Sequence, residues 1–132
     1  MRIVLLTLAL KLVTLVDAKM QSITVKGITL CKKKPMSGVI VELWERDLLT
    51  PNDLLRRVKS GVHGEFSVSG HENEIGTIEP FLKFIHICNV KKPSCKRVTE
   101  YSVPKSKING VYNMTYVALD IFTAKDKLKC RR

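Results

Sequence analysis

The sequence predicts an all-β domain, a seven-stranded antiparallel β-sandwich, behind a cleavable signal peptide. Three observations support this fold class. Strand-like runs bounded by turn residues recur along the chain, no stretch has the periodicity of an amphipathic helix, and 132 residues allow one domain. A hydrophobic fraction of 45% with 6% aromatic residues indicates a core built from Val, Ile and Leu.

Residues 1–18 have the pattern of a signal peptide. Arg2 supplies the positive start, an apolar run follows over 3–10, and Val16-Asp17-Ala18 suits cleavage after Ala18. The alternative is an uncleaved anchor, but Lys11 leaves an apolar run far shorter than the roughly 20 residues that a membrane-spanning helix needs. We therefore expect a secreted protein with a mature domain at 19–132 that does not span a membrane.

Seven strand-like runs separated by turn signals fill the mature part. They are 22–31, 39–45, 54–60, 65–69, 81–88, 96–103 and 114–122. Phe66 and Val68 alternate with polar residues, as in a strand with one buried face. The run 39–45 is apolar on both faces, so we expect it to be central or covered by a partner. The polar segment 70–80 is predicted to be irregular.

All four cysteines lie in the mature part and predict two disulfides, because an even number in a small exported domain is typical of a disulfide framework. They are Cys31, Cys88, Cys95 and Cys130. Three pairings are possible, and closeness across a predicted loop favours Cys88–Cys95, which leaves Cys31–Cys130. A zinc site is the rival use, but no Cys-x-x-Cys pair is present and export favours oxidation.

The chain is strongly basic. Its formal charge is +11, and removal of residues 1–18 takes Lys and Arg from 23 to 21 and Asp and Glu from 12 to 11, leaving about +10. A charge of this size predicts attraction to anionic lipid head groups or sulfated sugars, while export argues against nucleic acid as the partner. The alternative is that the charge serves solubility alone.

A series of motifs covers nearly the whole mature chain. The segment 78–84, Ile-Glu-Pro-Phe-Leu-Lys-Phe, is followed by His-Ile-Cys-Asn at 86–89, after earlier motifs at 27–31, 35–45, 53–55 and 64–70. In order and spacing they resemble the nematode transthyretin-like family. The resemblance implies a secreted transthyretin-like (prealbumin-like) sandwich of seven strands in two sheets. It implies little about activity, because most members have no assigned biochemical role, although members have been proposed as extracellular binding or bridging proteins, including ones that recognise exposed anionic phospholipid.

The residues give no support for catalysis. Neither a Gly-x-Ser-x-Gly elbow nor a His-Glu-x-x-His motif is present. His63 and His71 lie at predicted turns, and His86 shares a strand face with Cys88, so we expect a structural role for it. The hydroxyisourate hydrolases, which share the fold, use a C-terminal Tyr-Arg-Gly-Ser, whereas residues 129–132 here are Lys-Cys-Arg-Arg. We therefore predict no enzymatic activity, no metal and no cofactor.

Two basic clusters are the candidate binding surface. The tail, residues 125–132, has a cation at every second position and one more at its end: Lys125, Lys127, Lys129, Arg131 and Arg132. If the tail is extended, the first four cations project to one side; the alternative is a frayed, solvated tail. The second cluster is Lys32, Lys33 and Lys34, which a Cys31–Cys130 bond would join to the tail. A separate candidate patch is formed by Lys91, Lys92, Lys96 and Arg97.

Together these features predict a secreted, non-enzymatic extracellular binding protein that engages anionic or hydrophobic ligands on a lipid surface or a glycan. Two alternatives remain open. One is a carrier of a small apolar molecule in a cavity or at a dimer interface, and the other is an effector that docks a receptor protein through the basic face or Trp44. Asn113-Met114-Thr115 is in addition an acceptor motif for N-glycosylation at Asn113.

Overall fold

The computed structural model describes residues 19–132, so the predicted signal peptide lies outside the described residues. The strands are β1 (Lys19–Cys31), β2 (Lys34–Pro35), β3 (Ile40–Glu45), β4 (Asp53–Lys59), β5 (Glu65–Glu74), β6 (Pro80–His86), β7 (Cys95–Ser102), β8 (Val111–Ala118) and β9 (Lys127–Cys130). A short 3-10 helix, Lys105–Lys107, precedes β8. Among these residues no helix is long and apolar enough to cross a bilayer.

The strands form two sheets. In the four-stranded sheet β1 pairs with β2 and β5 along one edge and with β8 along the other, and the five-stranded sheet has the order β4-β3-β6-β7-β9. The predicted all-β sandwich is therefore confirmed. One pair departs from the antiparallel prediction: β8 runs parallel to β1.

All seven predicted strands are present, but several of their boundaries were wrong, most of all those of β5 and β8. β5 continues through Glu74, where we expected irregular chain, because its polar residues 70–74 pair with the first residues of β1. β8 covers Val111–Ala118 rather than 114–122, because a turn in which Ile121 N–H donates to Ala118 C=O ends it. The short strands β2 and β9 were not among the seven.

The core lies between the two sheets and is aliphatic with a few aromatic rings. Val25 and Val68 from one sheet meet Val41 and Leu43 from the other, and all four are almost fully buried. Phe84 packs edge-on against Phe66 of the opposite sheet, with ring centroids 5.5 Å apart. Burying each such side chain stabilises the fold by roughly 1.5–3 kcal/mol, so alternating apolar positions hold the sheets together.

Two disulfides are present, as predicted, but the predicted pairing was wrong. Cys31 bonds to Cys88 and Cys95 bonds to Cys130. Continuing the β6–β7 register would place Cys88 opposite Cys95. However, β6 ends at His86, and a turn closed by Val90 N–H and Ile87 C=O carries Cys88 away from β7 and into the core.

The actual bonds have distinct positions in the fold. Cys31–Cys88 joins the end of β1 to the loop after β6 and so links the two sheets. Cys95–Cys130 fastens β9 along the edge of β7. The tail is therefore attached beside Lys96 and not beside Lys32, which overturns the expected merging of the tail with the Lys32–Lys34 cluster.

Candidate binding face

The outer surface of the five-stranded sheet carries the most distinctive arrangement of side chains. Along β7, Cys95, Arg97 and Thr99 point inward and are buried, so the alternating Lys96 and Val98 face outward. The same alternation brings residues of four further strands to this surface. We call it the basic face; it comprises Trp44, Arg57, Lys83, Ile85, Lys96, Val98, Lys127, Lys129 and Arg131.

A groove of about 700 Å³ runs over the basic face. Its apolar floor includes the half-buried side chains of Trp44, Ile85 and Val98. Lys83, Lys96 and Lys129 line it as cations, and at the opposite edge of the sheet from Lys129 the lining includes Arg57 of β4, which is paired with Glu42. The groove thus offers apolar contact in the middle and positive charge around it.

Trp44 lies within this groove under a cation. The Lys83 Nζ atom is 4.6 Å from the Trp44 ring centroid, a cation–π distance, and Trp44 Nε1 donates a 3.0 Å hydrogen bond to Glu42. Glu42 is buried and also accepts a 2.8 Å hydrogen bond from Arg57 Nε. Because Glu42 is paired with Arg57, its charge does not offset the remaining cations of the face.

The tail supplies one side of the basic face. β9 is extended, which meets the condition stated for the tail, with Lys129 opposite Lys96 and Lys127 opposite Val98. Arg131 continues this edge, and its backbone N–H donates a 2.8 Å hydrogen bond to Ser94 C=O. Lys125 is exposed and pairs with Glu100 at 3.3 Å, and Arg132 is exposed at the end of the chain.

The second predicted cluster lies elsewhere. Lys32 and Lys33 form the tight turn between β1 and β2, where both have positive φ angles, and Lys34 begins β2. All three side chains are exposed, but they belong to the end of the other sheet. The Lys32–Lys34 turn is therefore a separate basic surface and a natural control for the basic face.

Arg97, which the sequence placed in a surface patch, is instead buried between the sheets. Its guanidinium donates to the C=O groups of Cys88 at 2.9 Å and Leu119 at 2.6 Å and forms a 2.7 Å ion pair with Asp126. Although burial opposes it, hydrogen bonds from Thr99 and Arg97 hold the pKa of Asp126 below its ordinary value. Arg97 therefore fastens the tail segment to the sandwich and does not contribute to binding.

His86 belongs to the same buried region, in agreement with a structural role. Its Nδ1 accepts a 3.1 Å hydrogen bond from Cys88 N–H, so Nε2 carries the proton and donates to Thr99 Oγ1 at 3.0 Å. Burial, reinforced by Arg97 and opposed by Asp126, lowers the pKa of His86 from 6.5 to about 4. Protonating Nδ1 would place its N–H next to the Cys88 N–H, so the hydrogen bond between them would be lost.

We predict a measurable acid dependence of stability from His86. Between pH 6.5 and about 4 the unfolded chain binds a proton that the folded chain excludes. The His86 contribution to stability is therefore complete above pH 6.5 and falls by roughly 2–3 kcal/mol as the pH drops to 4.5. Urea unfolding at the two pH values measures this loss.

The variant His86→Gln should show a smaller pH slope than the wild type, since glutamine does not titrate. The exposed His71 gives a matched control, and His71→Gln should retain the wild-type slope. An unchanged slope in His86→Gln would contradict the proposed linkage.

The remaining predicted residues are on the surface. His63 and His71 are exposed, as expected. Asn113 is exposed on β8, and its side-chain oxygen accepts a 3.0 Å hydrogen bond from Thr115 N–H. This position leaves the acceptor asparagine accessible, and its glycosylation stays a prediction.

The sequence indicated the tail, and Trp44 as a docking residue, but not that Trp44 lies on the same face as the tail. Lys83 and Ile85 were visible only as alternating strand positions, and nothing local indicates which strands are neighbours. One feature of the sequence could have indicated this surface. Lys83 is a charged residue at an outward position of β6, which is otherwise the most apolar strand of the mature chain.

The fold and its grooved, charged sheet face define a two-layer β-sandwich, and the comparison with known proteins assigns its family. The model of the transthyretin-like family TTR-52 matches residues 26–104, and the chain belongs to this family. Membership suggests an extracellular binding-type role, with which the two disulfides are compatible.

Several relatives come from Caenorhabditis elegans. Transthyretin-like protein 16 is 48% identical over 114 residues, which cover 86% of both chains. Transthyretin-like protein 2 is 41% identical over 68% of this chain and 65% of its own length. Among solved structures, a 9R-lipoxygenase from Cyanothece superimposes with a TM-score of 0.46 and 14% identity over 86% of this chain and 20% of the other, a likeness too distant to bear on function.

Proposed function

We propose that this protein is a secreted, non-enzymatic binding protein that engages anionic lipid surfaces through its basic face. The single observation that carries the proposal is the combination on one sheet face of Trp44, Ile85 and Val98 with a surrounding set of lysines and arginines. Secretion is supported by the signal-peptide pattern and by two disulfides.

The mixture of side chains favours a lipid surface over a sulfated glycan. Both ligands would attract the cations, since each Lys or Arg near an anionic membrane contributes about 1 kcal/mol. An aromatic side chain with one polar end is suited to the membrane interface, and long basic side chains can lie on an apolar surface with their charges in water. Ile85 and Val98 would have little to contact on a glycan.

Binding to vesicles tests the proposal. Protein purified after secretion is mixed with vesicles of phosphatidylcholine, with or without phosphatidylglycerol, and sedimented at low and physiological ionic strength. We expect binding only to the anionic vesicles, weakened by salt because the charges are exposed and screened.

A heparin column tests whether the ligand is a sulfated glycan and not a lipid surface. Retention on heparin without sedimentation on anionic vesicles would overturn the lipid assignment in favour of a sulfated glycan. Failure to bind either material would contradict an anionic ligand altogether.

A further inference from the structure

At one edge of the sandwich four carboxylates converge, although the chain as a whole is strongly basic. Glu45 ends β3, Asp53 begins β4 directly opposite it, and Glu72 and Glu74 lie on β5 of the other sheet. One oxygen from each of the four lies within 4.8 Å of the others. We call this group the acidic cluster.

The acidic cluster lacks counter-ions within residues 19–132. None of the ion pairs in this part of the chain involves any of the four carboxylates, even though Arg56 lines the same depression as Asp53 and Glu72. Lys19 is opposite Glu74 in the β1–β5 register and is likewise not within ion-pair distance. Like charges this close repel each other, so the arrangement is costly without a cation.

Glu45 gives an independent indication of a ligand. Its residue is only 3% exposed, and its Oε2 atom has no hydrogen-bond partner among the described residues. Its Oε1 receives one contact, at 3.5 Å, from Glu79 N–H. A buried carboxylate oxygen without a partner is strongly unfavourable unless the group takes up a proton or a cation satisfies it.

Without a metal ion, protonation is the way in which these carboxyls relieve burial and mutual repulsion. Burial, followed by the neighbouring Asp47 and Glu74 carboxyls, raises the pKa of Glu45 to about 7. Burial and Asp53 similarly raise the pKa of Glu72.

Ligand distances and hydration both bear on which divalent cation such a group of carboxylates would hold. Oxygen ligands lie 2.3–2.6 Å from Ca²⁺, so two oxygens on opposite sides of one ion are about 4.6–5.2 Å apart. The corresponding span for Mg²⁺ is about 4.0–4.2 Å, and Mg²⁺ is reluctant to exchange its waters for an all-protein site. Carboxylate oxygens within 4.8 Å of one another are close enough to share one cation, and the reluctance of Mg²⁺ to lose its waters favours Ca²⁺.

We propose that Glu45, Asp53, Glu72 and Glu74 bind one calcium ion at the edge of the sandwich. The ion would satisfy the unpartnered Glu45 oxygen and connect β5 of one sheet to β3 and β4 of the other. It stabilises the fold and is a separate site from the basic face, since Glu45 points inward on β3 and Trp44 points outward.

Calcium titration of the secreted, chelator-treated protein tests this proposal. Isothermal titration calorimetry should give one Ca²⁺ per chain, with Mg²⁺ binding at least tenfold more weakly, and Ca²⁺ should raise the melting temperature. The variant pair Asp53→Asn with Glu72→Gln should weaken Ca²⁺ binding at least tenfold. Asp53→Asn alone changes only an exposed side chain and provides a second, milder variant.

Glu65→Gln is the matched control, because Glu65 is an exposed carboxylate outside the acidic cluster and the amide oxygen can still accept the His63 N–H. It should bind Ca²⁺ like the wild type. No binding heat and no shift in melting temperature with Ca²⁺ would overturn the site, as would equal losses in the control and cluster variants. Vesicle binding is measured in chelator, so either proposal can fail without the other.

Discussion

Replacing Arg97 with leucine is expected to lower the free energy of unfolding by about 3–5 kcal/mol, the typical cost of leaving a buried charge without its partner. Arg97 is 2% exposed and pairs with Asp126, whose carboxylate would lose its cation. The C=O groups of Cys88 and Leu119 would lose their donor as well. Urea unfolding followed by circular dichroism measures the loss.

Two variants make the Arg97 prediction specific. Arg46→Leu removes a half-exposed arginine whose ion pair with Glu100 spans 3.1 Å, and it should cost about 1 kcal/mol or less. Arg97→Leu combined with Asp126→Leu should lose less stability than the single Arg97 variant, because no unpaired charge remains. If Arg97→Leu cost no more than Arg46→Leu, the role of Arg97 in fastening the tail would be wrong.

Reversing three charges on the basic face should reduce affinity for anionic vesicles by at least about 100-fold. The variant carries Lys96→Glu, Lys127→Glu and Lys129→Glu, all at exposed positions on adjacent strands. Three lost cations remove about 3 kcal/mol of membrane attraction, and the new carboxylates add repulsion. Sedimentation with phosphatidylglycerol vesicles measures the change, and circular dichroism verifies the fold.

A triple variant in the Lys32–Lys34 turn is the matched control, because it changes the net charge by the same amount. Replacing these three lysines with glutamate should weaken vesicle binding by less than about tenfold, since the turn is not part of the face and acts only through screened long-range charge. Equal losses in the two triple variants would mean that net charge, and not the basic face, determines binding.

The sequence predicted those parts of the fold that depend on local alternation. Phe66 and Val68 are buried on one side of β5, as their spacing indicates, and the seven main strands follow from similar patterns. The extension of β5 to Glu74 could not be predicted in this way, because its polar residues are ordered by pairing with β1 and not by burial. The same holds for β9, which is stabilised by β7 and a disulfide.

Pairings between distant segments were the least predictable feature. The predicted Cys88–Cys95 disulfide was wrong because a turn of four residues after His86 redirects the chain. The number of residues between the two cysteines gives no indication of this turn. Only part of the basic face could be predicted. The lysines of the tail recur at every second position in the sequence, whereas Trp44 and Lys83 lie on the same face only because of the order of the strands in the sheet. The acidic cluster draws on three strands and leaves no local pattern.

Fluorescence of Trp44 provides the most direct test of binding through the basic face. Trp44 is the single tryptophan of the chain and lines the groove, so its emission reports on this surface alone. With anionic vesicles that contain brominated lipid, we predict a blue shift and quenching, both reversed by salt. Unchanged Trp44 emission from protein that nevertheless sediments with the vesicles would show that another surface binds them, and would contradict the account.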